Sequence, residues 1–441
     1  MIENHPFASL SIGATSSLTR DCGARTRALF AASLGIAESL PAGEGFAAAM
    51  VSACITTVLP GLGTTISRLD LRAVADMPAQ GEVTATVTVR ALAPSRHVTL
   101  SCLVTEASGR VVMDGVAEAE APEQAIAAEP GDMPDIRITT HHRFQDLIAL
   151  AARMGPSRAA VVHPCDAASL SGALDAAEAG LVVPVLVGPD AKIRAVAESL
   201  GRSLDGIEIV AVPHSHAAAA EAVRLVRAGG AAMLVKGSLH SDELLAEVVA
   251  HETGLRTARR ISHVFVMDVP SYPRLLLVTD AAVNIAPDLA QKRDIVQNAI
   301  DLGLALGVAT PRVAILSAVE MVTESMRSTL DAAALCKMAD RGQISGGFLD
   351  GPLAFDNAVS MEAARDKGIV SEVAGRADIL VVPDIESGNM LAKQLTFMAG
   401  ADAAGVVLGA RVPIVLTSRA DSARARVASC AVALLMARVS A

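Results

Sequence analysis

Nine short apolar runs, separated by Ala-rich stretches of helix length, constrain this chain more than any other feature. They are AAVVHP (159–164), VVPVLVGP (182–189), IEIVAVP (207–213), AAMLVKG (231–237), RLLLVTD (274–280), VAILSAV (313–319), ADILVVPD (377–384), GVVLG (405–409) and VPIVLTS (412–418). Runs this short and this uniformly apolar suit strands buried on both faces, and their alternation with helices predicts a parallel sheet covered on each side. Open α/β sheets bind ligands beyond the carboxyl ends of their strands, so the residues following each run are the first candidates for a site. Those residues are Lys236 and Gly237, then Asp280 and Asn284, then Asp384 and Asn389, and finally Ser418, Arg419 and Asp421. Each also suits the plain role of a helix cap or a surface group.

The last group is the most informative. LTSRADSARAR places a hydroxyl, a guanidinium and a carboxylate within four residues at the expected start of the final helix. A helix N-terminus offers unpaired N–H groups, and arginine adds a planar fork matched to phosphate oxygens. Asp421 suits a base, for a thiol among others, and suits equally well a first-turn carboxylate favoured by the helix dipole. A second cluster, MADRGQISGGFLDGPLAFDNAVS, carries Asp350, Gly351 and Pro352 in a glycine-rich stretch that suits either close ligand approach or a connecting turn. Neither a GxxxxGK[ST] loop nor a GxGxxG after a strand is present, so nucleotide binding of those kinds is not expected.

Before residue 118 the texture differs. EVTATVTVRAL and HVTLSCLVTEASGRVVMDGVAEAE alternate apolar with Thr and Ser, reading as antiparallel strands with a Ser-Gly turn, and a helical block spans Ala47 to Val58. This predicts an α+β domain over 1–122, then an acidic Pro-containing linker over 123–140, then an α/β domain over 141–441. The uncharged stretch from Gly45 to Ser67 approaches membrane-spanning length, but its Thr, Gly and Pro residues favour a soluble helix ending in a turn. With a net charge of −10, no Trp and one Tyr in 441 residues, a nucleic-acid partner is not expected. The six cysteines show no CxxC or Cys/His metal spacing, and MIENHPFASL lacks a secretory pattern, so reduced core thiols, no metal and a cytoplasmic location are expected.

From about Phe144 onward the chain resembles the phosphate acetyltransferase and phosphate butyryltransferase family. The resemblance is carried by KGSLHSDELL, VTDAAVNIAPDL, KMADRGQISGGFLDGPLAFDNAVS, KGIVSEVAGRADILVVPDIESGNMLAKQL and VPIVLTSRADS. It implies a two-lobed α/β phosphate acyltransferase fold with a cleft between the lobes, the final segment returning to the first. It also implies acyl transfer between CoA and inorganic phosphate, with acyl-CoA as substrate, no bound cofactor and a homo-oligomeric enzyme. Carried over by motif, Ser418 and Arg419 hold the phosphate end and Asp421 is a catalytic candidate. Lys236, Asp280, Asn284, Asp350, Gly351, Pro352 and Asn389 are expected to contact substrate. Two departures stand out: the Asp of the acetyltransferase pattern falls on Ala425, and LHSDELLAEVV lacks the Arg of that pattern.

Residues from about 16 to 122 resemble MaoC-like hotdog hydratases, and the combination is similar to bifunctional enoyl-CoA hydratase/phosphate acetyltransferases. The hydratases' Asp-x-Asn-Pro-x-His segment is missing: no Asn-Pro occurs, and no His lies between His5 and His97. Glu44 is a lone carboxylate, and hydration needs two positioned groups, so this domain is expected to be non-catalytic. His141, His142 and Arg143 read as a surface loop, and His163, His214, His216 and His240 as structural. Competing readings are a bifunctional hydratase, a decarboxylating hydroxy-acid dehydrogenase, which would need clustered Asp ligands, and a non-catalytic acyl-CoA-binding protein.

Overall fold

The computed structural model describes residues 2–34, 43–128, 142–417 and 421–439. The chain divides into two compact units, Met1–Ile138 and Thr139–Ala441.

The first unit contains β1 (Ile2–Glu3), β2 (Thr15–Asp21), α1 (Ala24–Ser33), α2 (Gly43–Thr57), β3 (Thr65–Ala73), β4 (Glu82–Ala93), β5 (His97–Glu106), β6 (Val111–Glu120) and β7 (Ala127–Ala128). Five strands form an antiparallel sheet in the order β2-β4-β5-β6-β3. The period of two predicted from the Val/Thr alternation is what places Val83, Ala85, Val87 and Val89 of β4 on one face, all buried. Against that face lies α2, burying Met50, Val51, Cys54 and Ile55. A helix cradled by an antiparallel sheet is the hotdog arrangement. After α2 the chain turns through Gly61 and Gly63, at φ +92° and +84°, before entering β3. No helix among the described residues is long and apolar enough to cross a membrane. The segment read as linker begins too early, because β7 pairs with β1 and the Asn4 side chain donates to Gln124 O at 3.0 Å and accepts from Ile126 N at 2.7 Å. Those bonds tie residues 123–128 into the first unit.

The second unit runs α3 (His142–Ala152), β8 (Ser157–Val162), α4 (Ala167–Glu178), β9 (Val182–Gly188), α5 (Asp190–Ser199), β10 (Glu208–Ala211), α6 (Ser215–Arg227), β11 (Met233–Lys236) and α7 (Ser241–Val249). It continues with β12 (Ser262–Asp268), β13 (Leu276–Thr279), α8 (Leu289–Ala305), β14 (Arg312–Leu316), α9 (Arg327–Asp340), β15 (Phe348–Leu353), α10 (Phe355–Val359), α11 (Met361–Asp366) and β16 (Ile379–Val381). It ends with α12 (Ile385–Met398), β17 (Asp402–Leu408), β18 (Ile414–Val415) and α13 (Ala423–Val439). One sheet in the order β10-β9-β8-β11-β18-β17-β12-β13-β16-β14-β15 runs through it.

Both lobes are parallel within themselves, but the sheet is mixed: β17 is antiparallel to β18 and β12, and β12 is antiparallel to β13. The parallel expectation fails at the joint because β12–β13 and β17–β18 are linked by a few residues with no crossover helix, and a short link can only return the chain antiparallel. As a consequence the parallel strands of the second lobe point opposite to those of the first. The last segment does return to the first lobe, since β18 pairs with β11 and α13 packs against α3 and α4. Arg143 is not a surface group: Nη1 lies 2.5 Å from the carboxylate of Asp268, which is fully buried, and Nη2 donates to Tyr272 O at 2.6 Å.

Candidate functional site

Three neighbouring strands, β8, β11 and β18, end at one edge of the first lobe, and α4, α7 and α13 start there. Each helix start is built by its own sequence. Asp166 accepts from Ser169 N at 2.8 Å for α4, His240 and Glu243 form a capping box for α7, and Ser422 Oγ accepts from Ala425 N at 3.1 Å for α13. Aligned helix starts favour an anion through partial positive charge and free N–H groups. Lys236, half-buried at the end of β11, adds a full charge at the same edge. The next residue is glycine of necessity: a Cβ on Gly237 would lie 2.3 Å from Val162 O and 2.7 Å from His163 O. Ser418 and Arg419 lie outside the described residues. Asp421 is half-buried in the turn before α13, whereas Ala425, where the acetyltransferase pattern would place its Asp, is buried.

Asp280 and Asn284, expected to contact substrate, are both buried and hydrogen-bonded to each other and to neighbouring backbone. Asp280 is buried at the end of β13, and its carboxylate accepts from the backbone of Ala282, Val283 and Asn284 at 2.9, 3.0 and 3.1 Å and from Asn284 Nδ2 at 2.5 Å. Asn284 in turn accepts from Arg260 Nε at 2.8 Å and donates to Ile261 O at 2.9 Å. These side chains spend their bonding on shaping the loop. Asn389 belongs to the same construction, donating to Ala281 O at 3.2 Å, and Asp384 accepts from Ser387 N at 2.9 Å as the cap of α12.

Asp350, Gly351 and Pro352 are in β15, the outermost strand, six strand positions from β18. At about 4.8 Å per strand that is roughly 29 Å along the sheet. A Cβ on Gly351 would stand 2.8 Å from the Ile315 carbonyl oxygen, so the glycine serves strand packing, and Asp350 accepts from Gly351 N at 2.8 Å. Within one chain these three residues are separate from the Lys236 edge. The close approach that the glycine pattern predicts is made here between two neighbouring strands, β14 and β15.

What sequence reasoning missed is a groove of about 750 Å³ between α7, residues 256–261 and the start of α8. Asp242, Leu245, Ala246 and Val249 of α7 form one wall; Arg256, Arg259, Arg260 and Arg293 line the others. Arg259 is paired with Asp301 and Arg293 with Asp294, while Arg256 has no ion-pair partner among the described residues. The sequence signal was present, three arginines in GLRTARR, but nothing local shows that they face a helix without basic groups. Also missed was His263 of β12, a buried imidazole beside Phe265, with ring centroids 4.3 Å apart. Burial pushes it down to about 4, against the opposing pull of Asp280. Among the described residues no three His, Cys, Asp or Glu side chains gather as a metal site, and all six cysteines are unbridged.

Comparison with known proteins gives consistent matches. The family described as phosphate acetyl/butaryl transferase matches residues 211–434. The phosphate acetyltransferase of Rhizobium meliloti is 66% identical over 295 residues, 67% of this chain and 93% of that relative. The phosphate butyryltransferase of Clostridium acetobutylicum is 42% identical over 294 residues, 67% of this chain and 98% of its own length. Among solved structures, a branched-chain phosphotransacylase from Enterococcus faecalis V583 aligns with a TM-score of 0.56 at 31% identity, covering 64% of this chain and 98% of that one. A phosphotransacetylase from Streptococcus pyogenes shares the fold, with a TM-score of 0.60 at 21% identity over 68% of this chain and 100% of that one.

Proposed function

The chain belongs to the phosphate acetyltransferase and butyryltransferase family, and from that premise we propose where its reaction runs. It transfers a short acyl group reversibly between CoA and inorganic phosphate. The observation that carries the placement is the convergence of three helix starts and Lys236 on one sheet edge, with the arginine-lined groove running beside α7. Lys236, Ser418 and Arg419 hold the phosphate end of the acyl phosphate at that edge. CoA lies along the groove, its nucleotide phosphates facing Arg256, Arg259, Arg260 and Arg293, which stand in for the basic residue that α7 lacks.

In the direction that forms thioester, the CoA thiolate adds to the acyl-phosphate carbonyl carbon. The tetrahedral oxyanion is held by N–H donors of the helix starts and the Ser418 hydroxyl, and collapses as the C–O bond to phosphate breaks. Asp421, at the mouth of α13, takes the thiol proton. In reverse, phosphate oxygen attacks the thioester and CoA leaves. Both substrates are anionic, so most of the acceleration comes from orientation and charge compensation. CoA enters as substrate rather than as a resident cofactor.

The first unit assembles subunits or holds acyl-CoA rather than hydrating it, since it lacks the paired acid and base. Crotonyl-CoA then keeps its double bond on incubation with the enzyme. We also place the enzyme in the cytoplasm and read it as a homo-oligomer, supported by Met390, Phe397 and Met398, which α12 leaves 64, 79 and 80% exposed beside an apolar groove of about 590 Å³. The whole reading is tested by incubating purified enzyme with acetyl-CoA or butyryl-CoA and measuring free thiol with and without phosphate. Matched release of thiol and acyl phosphate is expected; thiol release indifferent to phosphate would remove it.

A further inference from the structure

At the end of β8, His163 has φ +53°, a left-handed backbone that is uncommon outside glycine. Such a conformation persists where the surroundings over-determine it. Here they do. The His163 N–H donates to Val187 O at 2.7 Å, and its carbonyl accepts from Cys165 N at 2.8 Å, Ser238 N at 2.9 Å and Ser238 Oγ at 2.9 Å. The ring completes the set, with Nδ1 3.1 Å from Ser238 O. A carbonyl oxygen only accepts, so Nδ1 carries the proton. One residue therefore grips the N–H, the C=O and the hydroxyl of Ser238.

Ser238 ends the turn that carries Lys236 and leads into α7. Gly237 N is bonded to Val162 O at 2.9 Å, so residues 236–238 follow β8 closely. On the other side, β11 pairs with β18 through Leu234↔Ile414 and Val235↔Val415. The height of the 236–238 turn is thus set by His163 on the β8 side.

We propose that His163 is a positioning residue for the acyl transfer: its ring and its left-handed backbone lock the turn so that the Lys236 ammonium and the start of α7 meet the phosphate end of the substrate in one fixed geometry. This rests on the site assignment made above. It goes further in giving a purpose to the left-handed backbone of His163 at the end of β8, next to the β8–β11 ladder.

The test uses the full chain with His163→Gly, which keeps the left-handed backbone but removes the ring, and His163→Asn, which tolerates that backbone and offers a side-chain N–H to Ser238 O. Initial rates are measured against phosphate and against CoA, with thermal unfolding followed in parallel. His163→Gly is expected to raise the KM for phosphate or acyl phosphate about tenfold while leaving the KM for CoA within about twofold, because misplacement of a binding group weakens the contact it makes. His163→Asn is expected to recover most of that loss. A purely structural histidine would instead lower kcat in proportion to unfolded enzyme and leave both KM values unchanged; that outcome, or wild-type constants in His163→Gly, overturns the proposal. Wild-type enzyme without phosphate-dependent thiol release would sink the site assignment and this proposal together, and is distinguished by being seen before any variant is made.

Discussion

Lowering the pH toward 5 should destabilise the second unit in large part through one buried side chain, His263, beside smaller losses from carboxylates such as Glu221 and Glu320 that basic partners hold low. The ring is buried in β12, and burial holds it neutral, with a folded value of about 4 against 6.5 in the unfolded chain. A group whose neutral form is favoured by folding contributes its full stability above about pH 6.5 and loses it as pH falls toward 4, because only the unfolded chain takes up the proton. Integrating between those values gives a loss of about 2 kcal/mol at pH 5 relative to pH 8, rising to about 3 kcal/mol near pH 4. His263→Gln removes the titration while keeping a polar side chain of similar reach. The assay is urea unfolding at pH 8 and pH 5 for both proteins, followed by tyrosine emission. Tyr272 is the only tyrosine and the chain has no Trp, so the signal reports the second unit alone. The difference between the two pH values should be about 2 kcal/mol smaller in the variant. Parallel pH dependence in the two proteins would refute the reasoning, as would an imidazole that titrates near 6.5 by NMR.

Three further outcomes are expected. Gly237→Ala forces a methyl against two backbone carbonyls, so the turn must move, and kcat/KM should fall about a hundredfold with the fold retained by circular dichroism; wild-type turnover would show that the turn has slack. If Arg256, which has no ion-pair partner among the described residues, meets the one phosphate that dephospho-CoA lacks, Arg256→Ala should raise the KM for CoA several-fold and leave the KM for dephospho-CoA nearly unchanged, a difference measured directly in initial rates; equal effects on both would contradict that contact. Phe397→Glu puts a charge on the exposed face of α12 and should lower the mass measured by light scattering by at least one subunit; an unchanged mass would leave that face outside any subunit contact.

Much of the fold was legible in the sequence because burial on both faces leaves a strong mark. All nine apolar runs are strands, and the Val/Thr alternation of β4 announced a half-buried sheet. Two strands of the second unit were overlooked: Ser262–Asp268 mixes His and Phe with valine, and Phe348–Leu353 carries Asp, Gly and Pro at the sheet edge, where such residues are tolerated. The reversal of strand direction was encoded only in the shortness of the links flanking β12 and β18, a signal that the search for helix-length spacers overlooks. The site was less legible. Asp280 and Asn284 carry the residue types of a binding site, yet in the structure they bond to each other, to the backbone of 282–284 and, through Asn284, to Arg260 and Ile261, which no spacing reveals. Asp350 lies six strands away because sheet order, not sequence order, sets distance. His163 and Arg256 were hidden for the opposite reason: they are single residues whose meaning comes from partners 75 residues off in the chain or across a groove.

If the phosphate end of the substrate sits at the edge formed by residues 236–238 and the start of α13, phosphate saturation curves for Arg419→Ala will show it. Thiol and acyl-phosphate formation should fall together, with the KM for phosphate raised at least tenfold, as removal of a charge-assisted fork requires, and an unfolding curve like that of the wild type. Phosphate kinetics identical to wild type would contradict that placement.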